Sequence, residues 1–156
     1  MSIQEKNKIN IFEKHSFYYA VLFVLVFINI FFFSSVSPIH NILNLQYDQL
    51  VYHLIGKGMK YGEIPYIDLI DHKGIYLFST YALSELICEY RHIGLFIVTL
   101  IINYIYTIFA YKIAYLMSHR KKTSMMVAFM ILVLQNTYFL SVNGLDCETI
   151  ILPFIM

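Results

Sequence analysis

The chain has 156 residues, 59% of them hydrophobic and 13% charged, with a net charge of +1 at neutral pH. That is too little charge to coat a soluble globule of this size, and a mean hydropathy of +0.64 places the chain among integral membrane proteins. The positive residues are segregated along the chain instead of gathered on one face, so the composition offers nothing for nucleic acid to bind.

Residues 1–16 form a polar tail in which Lys6, Lys8 and Lys14 stand against Glu5 and Glu13. Residues 17–36 then give a run of about 20 residues, apolar apart from Asn29, Ser34 and Ser35, enough at 1.5 Å per residue to cross ~30 Å of hydrocarbon. This is the first expected span. It exceeds the apolar core of a signal peptide, and the following Ser-Ser-Val-Ser-Pro-Ile-His is a poor cleavage site, so the segment should stay attached. Ser37-Pro38 ends it, with Asn41 and Asn44 as caps for the next helix.

Over residues 45–60 the apolar side chains Leu50, Val51, Leu54, Ile55 and Met59 recur at helical spacing, with Lys57 and Lys60 near the end. The pattern predicts an amphipathic helix on a membrane surface. Gly56, Gly58 and Gly62 close it, and Pro65 disfavours helix at Ile64. Residues 75–89 predict a second surface helix, since an apolar stretch of about 14 residues is too short to span. Tyr76, Tyr81 and Tyr90 should sit among headgroups, and Leu77, Phe78 and Leu83 should dip into acyl chains.

Residues 93–117 are a second span, interrupted by Asn103 and Lys112, and residues 118–124 hold the basic run Arg120-Lys121-Lys122. If residues 75–89 lie flat, the N-terminal tail and this basic loop share one side, which the distribution of lysine and arginine makes cytoplasmic. A third span over residues 125–141 and an outer loop over 142–149 follow. The apolar residues 150–156 look like the start of a further helix, cut off. No repeat of fixed period is present. The expected fold is therefore a single all-α integral membrane domain: three transmembrane helices and a large outer loop, residues 37–92, carrying interfacial amphipathic helices.

That outer loop carries a specific pattern: Asp48, then Gly56-Lys57-Gly58-Met59, then Gly62-Glu63-Ile64-Pro65-Tyr66-Ile67-Asp68, then Asp71-His72-Lys73-Gly74. In order and spacing it resembles the first outer loop of bacterial membrane glycosyltransferases of the C-type fold, relatives of the protein O-mannosyltransferases and the lipid A aminoarabinose transferase. The order of spans and loops is similar too, and Asn143 to Thr149 resembles the family's second acidic outer loop. Such enzymes have many more spans, so the resemblance covers only their N-terminal part and implies an incomplete C-type transmembrane domain. It implies transfer of a sugar from a polyprenyl phosphate carrier to an acceptor in cell-envelope glycan or glycolipid assembly. The implied partners are the lipid bilayer, the polyprenyl-phosphate-linked sugar and the C-terminal membrane part.

By the resemblance Asp48 is the catalytic base. A carboxylate suits that role when held near the nucleophile and partly desolvated. Its structural alternative is to complement the dipole of the helix it begins. Several relatives carry a second acid beside the first, where this chain has Gln49. Asp71, His72 and Lys73 are the candidates for the donor phosphate or substrate, the lysine balancing charge on the leaving group. A solvated turn is the alternative. Ile75 replaces the family's usual proline.

Asp146 and Glu148 lie in the second acidic loop, and carboxylates after the third span help in some members of that family to bind a divalent metal or the acceptor, which the resemblance implies for these two; the alternative is a polar helix boundary. The six histidines show no metal-ligand spacing. Cys88 and Cys147 lie far apart in no redox or metal spacing and read as unpaired thiols. The competing functional class is a non-enzymatic small membrane protein, a remnant or a subunit that binds lipid or a partner. Length separates the two classes, because three spans enclose no bowl for a lipid donor and an acceptor together.

Overall fold

A computed structural model of the chain describes residues 3–39, 47–68 and 71–135. Every regular element among them is helical: α1 (Ile3–Phe33), α2 (Tyr47–Lys60), α3 (Ile75–Ile87), a single 3-10 turn (Tyr90–His92), α4 (Ile93–Ser118) and α5 (Lys121–Gln135). The apolar stretches of α1 and α4, His15–Phe33 and Ile93–Ser118, are each long and apolar enough to cross a membrane. The residues expected to complete a third span, 136–141, and those beyond lie outside the described residues, as do Asn41 and Asn44.

A ladder of rings sets the relation of α1 to α4. His15 packs on Tyr115 with centroids 4.7 Å apart, Tyr19 on Tyr111 at 5.8 Å, Phe23 on Tyr104 at 5.3 Å and Phe27 on Phe96 at 6.0 Å. Residue numbers rise along one helix as they fall along the other, so the two are antiparallel. At the foot of the ladder His15 Nδ1 lies 2.8 Å from the Tyr111 hydroxyl, both side chains buried. The same end holds the sharp α4–α5 turn. There His119 adopts φ 51°, its N–H bonding the Tyr115 carbonyl, and the Ser124 hydroxyl bonds the Arg120 carbonyl. Lys121 stands over the Tyr18 ring at 5.5 Å. The N-terminal half of α1 and the basic loop thus share one end of the bundle, and the connection from α1 to α4 occupies the other.

The bounds of α1 differ from expectation. The polar tail and the first apolar run are one continuous helix, and that helix stops at Phe33 instead of residue 36. Serines stop it. The Ser37 hydroxyl donates to the Phe31 carbonyl at 2.6 Å, which takes up a carbonyl at the end of the helix, and the chain turns to bury Val36 completely. The second helix is described from Tyr47 onward, and residues 45–46, where the periodicity starts it, lie outside the described residues.

The expected exposure of α3 is corrected in part. Its 13 residues measure about 20 Å, short of a bilayer core. Tyr76, Leu83 and Tyr90 are exposed, but Tyr81, Phe78 and Leu77 are buried in protein at 0%, 1% and 3% exposure and cannot reach headgroups or acyl chains. The reason is α2, which covers that face and packs on α3 more extensively than any other pair of elements meets. Tyr52 lies edge-on to Tyr81 at 5.8 Å and near Phe78 at 6.2 Å. Gly56 permits the approach: a Cβ there would fall 2.6 Å from Tyr81 Cβ and 2.7 Å from its carbonyl carbon. Gly94 plays the same part where α4 begins, since a Cβ would overlap the Ser84 carbonyl oxygen.

Gly56→Ala should push α2 off the backbone of α3 and lower stability by about 1–3 kcal/mol. Gly74, with φ −73° and open space around its Cβ position, is the control, and Gly74→Ala should stay within about 0.5 kcal/mol. Thermal unfolding of the two variants in the same detergent checks this, equal melting temperatures being the contrary result.

Candidate functional site

Asp48 lies in the first turn of α2 with its side chain exposed, and Tyr47, Val51 and Tyr52 surround it on the same helix. Opposite stands the turn Asp71-His72-Lys73 that leads into α3. Together these seven residues line an open cleft of about 600 Å³. The structure therefore brings the acidic candidate on one helix and the charged triplet before the next into one cleft, which their separation in the chain does not dictate.

The triplet has a defined shape. Asp71 Oδ1 accepts the backbone N–H of His72 at 2.5 Å and of Lys73 at 3.1 Å, and lies 3.3 Å from His72 Nδ1. Its side chain is 11% exposed whereas that of His72 is 86% exposed. Asp71 is thus turned inward as the organiser of the turn, and His72 projects outward. The preceding Ile64-Pro65-Tyr66-Ile67-Asp68 is a second turn, closed by Asp68 Oδ2 accepting the Ile64 N–H at 2.8 Å and by the Ile67 and Asp68 N–H groups bonding the Ile64 carbonyl. Pairs of aspartates in this loop therefore cap turns, as short carboxylates do.

Gln49, the neighbour of Asp48, points the other way. It is fully buried and its Oε1 accepts the Ser35 hydroxyl at 2.9 Å. A carboxylate there would be charged inside the core, so the amide suits its surroundings, and the residue takes no part in lining the cleft.

Between α2 and α3 lies a polar cluster that no metal-ligand spacing in the sequence marks. His53 on α2 faces Glu85 on α3, with Nδ1 and Oε1 3.2 Å apart and side chains 7% and 1% exposed. The ring of His92 meets His53 edge-on at 6.3 Å. Burial raises the Glu85 carboxyl above its usual range, with Glu89 adding to the effect against Lys57 and Lys60. Burial likewise lowers His53, assisted by His92 and Lys57. Both shifts favour the neutral forms, which a site walled off from water requires. Glu85 Oε2 finds no hydrogen-bond partner among the described residues. The signal for this cluster was an acid in the middle of an apolar helix, since such a group needs a partner or a proton.

At the rim of the same interface Glu89 binds two lysines of α2, Lys57 and Lys60, each at 2.9 Å. Lys60 also donates to the Glu85 carbonyl at 3.3 Å. The lysine of the Gly-Lys-Gly-Met run is thereby engaged in holding α2 to α3. Among the described residues no three of histidine, cysteine, aspartate and glutamate are arranged to hold a metal ion. Asp146, Glu148 and Cys147 lie outside the described residues, and Cys88 is a free thiol. Compared with known protein families, curated proteins and solved structures, the chain matches none.

The two lysines hold Glu89 down at about 2 from an ordinary 4.5. Its native value lies below its unfolded one, so its contribution to the α2–α3 contact is complete above 4.5 and is withdrawn as pH falls through about 2. A carboxyl-carbon NMR titration should place the Glu89 midpoint near 2 and return it towards 4.5 in the Lys57→Gln/Lys60→Gln variant. An unshifted midpoint in the unmodified protein would remove the clamp.

Proposed function

We propose that this chain carries the N-terminal, outer-loop part of a membrane glycosyltransferase of the C-type fold, which moves a sugar from polyprenyl phosphate to an acceptor at the outer face of the cell membrane. The observation that carries the reading is the cleft in which Asp48 faces Asp71, His72 and Lys73. A base and a cation across one opening are what the reaction needs. The acceptor's nucleophilic atom attacks the anomeric carbon and gives its proton to Asp48. The bond from that carbon to the phosphate oxygen breaks, its electron pair leaves with the polyprenyl phosphate, and the Lys73 ammonium balances the charge that develops there. His72, exposed beside it, can donate to the same group.

The placement at a membrane rests on α1 and α4, whose outward faces expose Val24, Ile28, Phe32, Ile101, Ile105 and Phe109, an apolar surface that water does not tolerate over such a length. We read residues 125–141, which begin within α5, as a third span. The shared end of α1 and the basic loop then faces the cytoplasm, and the cleft lies outside with α2 and α3 at the interface.

Two experiments test this reading. With the further spans supplied, by a continued chain or a partner chain, Asp48→Asn should reduce transfer from a radiolabelled polyprenyl phosphate sugar in vesicles by at least roughly 10²-fold, with membrane insertion intact. Lys73→Ala should act mainly on use of the lipid donor, because the phosphate is present before and during the chemical step. Unchanged transfer by the Asp48→Asn protein leaves that aspartate a purely structural role. For topology, single cysteines at positions 60 and 73 in a cysteine-free background should react with an impermeant reagent in intact cells and one at 121 should not. Labelling at 121 alone inverts the assignment.

A further inference from the structure

We infer that Tyr66 is a positioning residue that fixes the backbone from which Lys73 reaches a phosphate monoester at the cleft, an inference that rests on the role assigned to Lys73 above. Tyr66 adopts φ 70°, a left-handed conformation that is strained for an aromatic residue and ordinary for glycine. What the strain achieves is visible at the other end of the side chain. The Tyr66 hydroxyl donates to the Lys73 carbonyl at 2.5 Å, and the ring rests at 5.9 Å from Phe78, which is buried.

The Lys73 N–H is already taken by Asp71 Oδ1 at 3.1 Å. Both backbone polar groups of Lys73 are therefore occupied, one from each side. The lysine thus starts from a fixed point, so less conformational freedom is lost when its ammonium closes on a phosphate.

The Ile64–Asp68 turn is closed by Asp68 and the Ile64 carbonyl whether or not the hydroxyl is present, so Tyr66→Phe should keep the fold and lose one bond. The test uses the full chain in nanodiscs of neutral lipid, with a polyprenyl monophosphate as the probe and the uncharged polyprenol as control. Binding is read by the phosphorus-31 shift for the phosphate and by displacement of a labelled polyprenol. Wild type should prefer the phosphate, and Lys73→Gln should abolish the preference. Tyr66→Phe should weaken phosphate binding by about fivefold, the worth of one hydrogen bond, and should cost nothing further in the Lys73→Gln background, because its effect runs through that lysine.

Hydrogen exchange at the His72 and Lys73 amides supplies a readout that needs no ligand. Exchange there should be faster in Tyr66→Phe and unchanged in Lys73→Gln. If Lys73→Gln weakens phosphate binding and Tyr66→Phe does not, or if the Tyr66 loss is equally large without the lysine, the positioning role is refuted and the lysine's remains. If wild type binds phosphate and alcohol alike, or Lys73→Gln leaves the preference intact, the reading of Lys73 fails and this inference falls with it.

Discussion

The close approach of α2 to the backbone of α3 at Gly56 and Tyr81 governs how the two helices and the cleft at their ends are arranged. Because no side chain intervenes at that point, the rest of the interface closes around it. Tyr52 packs on Tyr81, His53 reaches Glu85, and Lys57 and Lys60 converge on Glu89. One helix then presents Asp48 at its start and the other holds the Asp71–Lys73 turn before its own, so the two walls of the cleft are set by a contact that neither contributes to directly.

The interface mixes forces of different strength. The apolar core of Leu77, Phe78, Tyr81, Tyr52 and Ile55 removes large side chains from water and supplies most of the driving force. The exposed lysine pair on Glu89 adds little by comparison, as surface ion pairs generally do, but fixes the lateral register of the two helices. The His53–Glu85 contact is unfavourable if either group is charged alone. Burial holds His53 and Glu85 towards their neutral forms, in which the contact costs least.

The helices were legible in the sequence because their signals are long and repeated. A continuous apolar run marks α1 and α4, helical spacing with terminal lysines marks α2, and shortness marks α3. Less legible was what covers them. Apolarity in α3 reads the same whether lipid or protein meets it, and only the absence of a Cβ at Gly56 decides in favour of protein at Tyr81 and Phe78. The end of α1 was misplaced for a related reason: hydropathy carries through Val36, but the hydroxyl of Ser37 bonds back to the Phe31 carbonyl and ends the helix earlier. In the cleft, the residue types were legible from the loop pattern and their division of labour was not. The pattern shows two aspartates and a lysine close together. It is hydrogen bonding to backbone N–H groups that turns Asp68 and Asp71 into turn-formers and leaves the outward position to His72, with Lys73 half-buried beside it.

The bond from the Ser35 hydroxyl to Gln49 joins the end of the longest helix to the helix that carries Asp48, one residue from that carboxylate. The first turn of α2 is in this way anchored twice, by this bond to the segment that leaves α1 and by the Gly56 contact to α3. Asp48 therefore starts from a backbone held between two other helices, and a substitution at Ser35, far from the cleft in the chain, acts on the turn that carries the carboxylate.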